Sequence, residues 1–207
     1  MDFKPLITLL AIVNPLAIVP FFMRGIRPRF CPPLPGISDF LELNVRTYVR
    51  DAQGRHGVWF YSLDCDQSLA VWTARTFFHL PYQHARMSAT VSGPRVDYHC
   101  QRRHEPAKSR FTWSLDQQTR NAEPGTLEFF LAERYLLFTQ DKEGQVLCGQ
   151  VHHAPYPLRA AEVLALDQGL LAAAGLPTTG AQAPALYSPG VDVEIFPLRP
   201  HLPRAPR

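Results

Sequence analysis

ELNVRTYV, residues 42–49, followed by a turn at 51–57 and by VWFYSL, residues 58–63, is the stretch whose reading decides the fold. Leu43, Val45, Thr47 and Val49 alternate with Glu42, Asn44, Arg46 and Tyr48, the period of two expected of a strand with one apolar and one polar face. Residues 58–63 are nearly all apolar, which predicts a second strand buried on both faces. Outward from this pair the pattern stays mostly β. Residues 84–91 and 95–103 alternate around Ser92-Gly93-Pro94 and read as a hairpin, 110–115 adds a third strand to that meander, and 134–139 with 146–152 forms another hairpin about the turn at 141–144. Val191, Val193 and Ile195 make a last strand.

Helical signals are fewer. Asp64 or Asp66 is placed to cap a helix over 67–79, with Leu69, Trp72, Thr73, Thr76 and Phe77 on its inner face and Pro81 ending it. Residues 126–133 put Leu127, Phe130 and Leu131 on one side, and 162–174 is rich in helix formers and stops at Gly175 and Pro177. The whole predicts an α+β domain, mostly β, of eight or nine strands with one or two packed helices.

The composition fits one such domain. The 207 residues are 46% hydrophobic and 19% charged, enough for one sizeable core and too short for two full domains. Arg199, Arg204 and Arg207, near the C-terminus, carry all of the formal charge of +3, so no basic face for nucleic acid is indicated. The 20 prolines are about twice the usual share; they disfavour a helical bundle and favour short strands joined by turns. Cys31, Cys65, Cys100 and Cys148 form no Cys-x-x-Cys unit. They read as reduced thiols in a cytoplasmic protein whose N-terminus shows no export signal.

Residues 5–23 carry no charge and are bracketed by Lys4 and by Arg24, Arg27 and Arg29. Two readings stay open. A continuous helix would be about 28 Å long, near the ~30 Å of a bilayer core, and would tether the chain to a membrane with its arginines on the cytoplasmic side. Asn14-Pro15 and Pro20 interrupt that helix, and a buried strand over 16–23 is the alternative. The proline-rich residues 27–36 connect to the strands beyond. The chain divides into an apolar segment, 1–22, a domain, 23–196, and a Pro/Arg-rich tail, 197–207, that reads as disordered.

Several chemistries find no support. Neither phosphate-binding glycine spacing nor a Gly-x-Ser-x-Gly elbow occurs, and no cofactor is called for. His152 and His153 are adjacent, so on a strand they point to opposite faces and do not chelate one ion; no metal site is expected. The informative feature is the polar face Glu42, Asn44, Arg46, Tyr48. In a closed barrel it would line a lumen as a binding site, with His84 and Arg86 joining from their strand. On an open sheet it would face solvent, with Glu42 and Arg46 as a modest surface pair.

The chain from about residue 19 to 196 resembles the YqjF-like family, an uncharacterised bacterial family grouped with the acetoacetate decarboxylase-like superfamily. The resemblance rests on MRGIRP (23–28), ELNVRTYV (42–49), GVWFYSLD (57–64), Ala74-Arg75, Leu80-Pro81-Tyr82 and Ala85-Arg86-Met87. It extends to Phe130-Leu131, Glu133-Arg134-Tyr135, and His153 with PYPL (155–158). It implies a barrel-like, antiparallel α+β domain with an internal cavity. In the superfamily's decarboxylases a strand carries a glutamate, and a Pro-Lys-Lys turn supplies the Schiff-base lysine. Glu42 falls at the glutamate, but the turn here reads Leu80-Pro81-Tyr82-Gln83. The chain's lysines are Lys4, Lys108 and Lys142, so Schiff-base decarboxylation, which needs a desolvated amine, is not expected. The resemblance leaves a small-molecule pocket with Glu42, Arg46, His84 and Arg86 as candidate ligand-binding residues. Arg46 would pair an anion and Glu42 would orient it or act as a base.

Residues 3–22 depart from the family and resemble instead the first helix of MarC-like membrane proteins, with Ala-Ile-Val-Asn-Pro at 11–15. If early family strands are missing, this run is the segment available to cover the exposed sheet edge.

Overall fold

The structure, a computed structural model, describes residues 6–13, 16–28, 30–178 and 185–201. Among these the elements in chain order are β1 (Leu6–Val13), β2 (Leu16–Met23), β3 (Phe40–Arg50), β4 (His56–Cys65), α1 (Ser68–Phe77), β5 (Tyr82–Ser92), β6 (Arg95–Arg102), β7 (Lys108–Leu115) and β8 (Arg120–Asn121). There follow α2 (Leu127–Ala132), β9 (Leu136–Gln140), β10 (Val146–His153), β11 (Pro157–Gln168), α3 (Leu170–Ala173), β12 (Ala185–Ser188), β13 (Val193–Ile195) and β14 (Arg199–Pro200). The fold is mostly β, as expected, with more strands than the pattern predicted.

One sheet runs β13-β10-β9-β4-β3-β2-β1-β12-β11-β7-β6-β5, with β14 beside β10 and β8 beside β11. The end of β4 also meets the start of β5 in parallel, over Leu63–Tyr82, Asp64–Gln83 and Cys65–His84. This seam joins one corner only, so the sheet bends back on itself and is not closed into a barrel. The N-terminal half of the same β4 edge pairs β9 through Val58–Leu137 and Trp59–Phe138. The split edge leaves little room at Gly57, where a Cβ would stand 2.7 Å from the Leu136 carbonyl oxygen and 2.6 Å from the Phe138 ring.

Register assigns the faces. Ile18 pairs Val45 and Pro20 pairs Leu43, while Ala17 pairs Arg46, Val19 pairs Asn44 and Phe21 pairs Glu42. Leu43, Val45 and Ile18 join Val96, Tyr98, Phe111 and Trp113 of β6 and β7 in the main core. Because β3 and β6 are not neighbours along the sheet, this shared core lies on the concave face. Each fully buried large apolar side chain there contributes about 1.5–3 kcal/mol. Tyr98 Oη reaches across it to donate to the backbone oxygen of Glu42 at 2.9 Å. The polar face of β3 is therefore the opposite one, which corrects the expectation that it lines a lumen. It is not solvent-facing either: a second cluster of Ala17, Val19, Leu131, Leu158 and Leu186 packs on this side.

The apolar run 5–23 forms two strands over its described part, and among the described residues no helix is long and apolar enough to cross a membrane. The spanning-helix reading, and with it the MarC-like first helix, gives way to a hairpin; residues 5, 14 and 15 lie outside the described ones. β1 pairs β2 on one side and β12 on the other, so this run does supply the strand beside β2. The β1–β2 ladder has no pair between Ile7–Phe21 and Leu10–Ile18, the interval containing Pro20, which has no N–H to offer.

The helix expected at 162–174 is a correction. Residues 157–168 form β11, which pairs seven residues with β7 and three with β12. Helix preference among these residues is worth a few tenths of a kcal/mol each, less than a ladder and buried side chains on both flanks. Only the single turn α3 survives, and its Leu170 and Leu171 enter the core. The expected cap of α1 is corrected too: Gln67 accepts from the Leu69 N–H, while Asp66 accepts from the Leu41 N–H and Asp64 pairs Arg102 at 2.9 Å. α1 also turns a different face inward, burying Val71 and Ala74 and leaving Leu69, Trp72 and Phe77 about half exposed. Arg199–Pro200, in the tail expected to be disordered, pair Leu147 and Cys148; residues 202–207 lie outside the described ones.

Two substitutions test this packing. Gly57→Ala drives a methyl into the Leu136 carbonyl and is expected to cost about 1–3 kcal/mol, read as a lowered urea midpoint. Arg102→Met leaves the Asp64 carboxylate buried without its partner and is expected to cost about 3–5 kcal/mol in the same assay.

Candidate functional site

The seam between β4 and β5 brings chemistry to the polar face of β3. Two residues past the end of α1, His79 is held in the left-handed region at φ 48°, and the chain turns through Leu80-Pro81 with Tyr82 N–H on the Leu80 oxygen at 2.8 Å and Leu63 N–H on the Pro81 oxygen at 3.2 Å. Tyr82 thereby pairs Leu63, which pairs Asn44, while His84 pairs Cys65, which pairs Glu42. Cross-strand neighbours share a face at about 4.8 Å spacing, so Glu42–Cys65–His84 and Asn44–Leu63–Tyr82 form two adjacent rows.

Tyr82 Oη donates to Glu42 Oε2 at 2.5 Å, and Asn44 Nδ2 donates to Glu42 Oε1 at 3.4 Å. Glu42 is 4% exposed, and the ion pairs among the described residues involve Asp51, Asp64, Asp97, Glu105 and Glu128 instead. Burial pushes the Glu42 carboxyl above its ordinary value, with the Tyr82 and Asn44 donors opposing. Burial and the Glu42 charge together hold the Tyr82 phenol well above its own. Asn44 Oδ1 is buried without a partner.

Cys65 is fully buried. Burial, then Glu42, raises its thiol, and the sulfur sits between the Gln67 N–H and oxygen at 3.4 and 3.7 Å. His84 is half-buried, and burial followed by Arg75 and Arg103 lowers its pKa, which favours the neutral ring. Lys108 begins β7, Lys142 lies in the turn after β9, and Lys4 lies outside the described residues. Tyr82 stands in the Leu80-Pro81-Tyr82-Gln83 turn that the resemblance sets against the lysine turn of the decarboxylases.

Arg46 stands four residues from Glu42, about 13 Å along the strand. An extra residue, Tyr61, bulges β4 opposite it, between the pairs Val45–Ser62 and Arg46–Phe60. Arg46 Nη2 donates to the Leu131 oxygen at 2.9 Å and Tyr48 Oη donates to the same oxygen at 3.2 Å, which together serve an orphan carbonyl at the end of α2. Arg46 Nε is buried without a partner. Arg86 belongs elsewhere: it is exposed and lines a surface groove of about 370 Å³ with His99, Lys108 and Arg110. Of the four expected residues the structure thus places Glu42 and His84 in one row, Arg46 on the same face but apart, and Arg86 outside. His153 is buried beside Tyr135 and Tyr156, each ring 4.5 Å away, and His152 is exposed, the split their adjacency predicts.

Sequence reasoning did not name Tyr82 or Arg134 as site residues. Tyr82 had a signal in its place at the lysine turn. Arg134 had none beyond its position in the Glu133-Arg134-Tyr135 match.

Comparison with known proteins agrees with this geometry. The chain is 35% identical over 185 residues to the uncharacterised protein YqjF of Bacillus subtilis strain 168, covering 89% of this chain and 76% of that protein. An acetoacetate decarboxylase-like enzyme from Sphingomonas wittichii RW1 superposes with a TM-score of 0.62 at 12% identity, over 98% of this chain and 94% of the other. The acetoacetate decarboxylase of Legionella pneumophila gives 0.56 at 11% identity, over 93% and 85%. At such identities these two establish the fold alone. Residues 13–192 match the family of uncharacterised conserved proteins DUF2071, and the chain belongs to that family.

Proposed function

We propose that this chain binds a small, anionic molecule along the polar face of β3, with Glu42 and Tyr82 at one end and Arg46 at the other, and without Schiff-base chemistry. The observation that carries the reading is the row Glu42, Asn44, Arg46. It holds a buried carboxyl with no cation beside it, and Asn44 Oδ1 and Arg46 Nε are buried with no partner. Buried polar groups in folded proteins are nearly always satisfied, so such a row on one strand is the mark of a surface built to receive hydrogen-bonding groups. The fold supports the reading: it is the scaffold of enzymes that act on a small keto acid, with the amine replaced by a phenol. Lacking that amine, the site offers a proton shared between Glu42 and Tyr82.

Native mass spectrometry of the purified chain is expected to show a bound small molecule, lost or weakened in Asn44→Ala and Arg46→Gln. A bare chain mass, with nothing recovered from the heat-denatured protein, overturns the reading.

Glu42 also predicts a pH dependence. Its folded pKa lies above the ordinary 4.5, so over the interval between the two values the folded chain keeps a proton that the unfolded chain has released. Its contribution to stability is therefore full below about pH 4.5 and lost as the pH rises through the folded value. Glu42→Gln is expected to flatten the fall in urea midpoint between about pH 4.5 and 7.5, and Tyr82→Phe, which removes a donor to the carboxylate, to steepen it. Asp64 and Asp66 are raised by burial as well, so part of the slope remains in Glu42→Gln. Three parallel curves would show that Glu42 is not perturbed.

A further inference from the structure

Arg134 follows α2 directly, and its guanidinium carbon lies 4.3 Å from the Phe130 ring centroid and 5.7 Å from that of Tyr48. The Arg46 guanidinium carbon lies 5.5 Å from the same Tyr48 ring. Two half-buried cations therefore share one aromatic wall, and neither forms an ion pair among the described residues. The nearest acid in sequence is already engaged: Glu133 Oε2 accepts from Tyr135 Oη at 2.5 Å and Oε1 from the Tyr156 N–H at 2.9 Å.

The donors that remain have a common character. Arg134 Nη1 serves the Glu133 backbone oxygen at 2.7 Å and Arg46 Nη2 the Leu131 oxygen. The Nε of each arginine is buried and unpartnered. Nε is half of the side-on fork by which a guanidinium takes two oxygens of one planar or tetrahedral anion. Like charges are costly to hold together away from water, and burial together with Arg46 pulls Arg134 below its ordinary value.

We propose that Arg46 and Arg134 together form an oxyanion seat, which takes the carboxylate or phosphate of a small ligand beside the rings of Tyr48 and Phe130. This deepens the function proposed above by naming the group that recognises the ligand's charge, and rests on that reading only for the ligand's place along β3. It brings in Arg134, which contacts β3 only through the Tyr48 ring.

The test is titration calorimetry and thermal unfolding at neutral pH with two probes, sodium propionate and sodium phosphate, against sodium chloride at matched ionic strength. At least one probe is expected to bind saturably and raise the unfolding temperature above the chloride control, with the better probe identifying carboxylate or phosphate as the natural group. Arg134→Gln, whose Nη1 serves only its neighbour's carbonyl and which should therefore fold, is expected to weaken binding by about tenfold or more, with Arg134→Lys recovering only part. If neither probe exceeds chloride, or if Arg134→Gln binds as well as the parent, the seat is refuted. If the purified chain carries no small molecule while the Arg134-dependent anion binding persists, the seat stands and the wider ligand reading fails.

Discussion

Three residue pairs hold the start of β5 against the end of β4, and the position of every group near Glu42 follows from them. A parallel pair needs a crossover, here supplied by α1, and the crossover ends in a left-handed histidine rather than a glycine. That backbone state is disfavoured for a side chain with a Cβ, and it persists because the His79 oxygen is held by Thr139 Oγ1 at 2.7 Å and the next residues enter the sheet. The strain is small. What it achieves is to deliver a phenol to a carboxyl 40 residues away in sequence.

A phenol where the resemblance sets an amine offers different chemistry. An amine next to a glutamate forms an ion pair and, once neutral, attacks a carbonyl carbon. A phenol next to a buried glutamate shares a hydrogen bond with it, and burial raises the pKa of both groups, which favours their protonated forms. A shared fold does not by itself carry a shared activity. On the concave face Tyr98, Phe111 and Trp113 fill the core.

Much of the fold was legible in short-range pattern. Alternation over 42–49 located β3 and separated its two faces correctly, because the period of two holds whatever covers each face. It did not reveal which face is concave, since that depends on β6 and β7, some fifty residues on. The helix expected at 162–174 failed because intrinsic preference is weak beside two flanking strand edges. The apolar N-terminal run was ambiguous because a hairpin of two short strands and one long helix have the same composition. Of the site, Glu42 was legible through the resemblance and Tyr82 through its departure from it. Arg134 was not, because its neighbours in space come from β3 and α2 rather than from its own segment.

The split of β3 into an apolar face toward Tyr98 and Trp113 and a polar face toward α2 has an evolutionary consequence. Positions 43 and 45 are bound by the volume of a closed core, so change there is paid in stability. Positions 42, 44, 46 and 48 face a layer whose helix is only six residues long, and on the proposed reading change there would alter which molecule is recognised. Adjacent codons of one strand thus fall under separate physical constraints, one set answering to the volume of the core and the other to the hydrogen bonds and rings of the α2 layer.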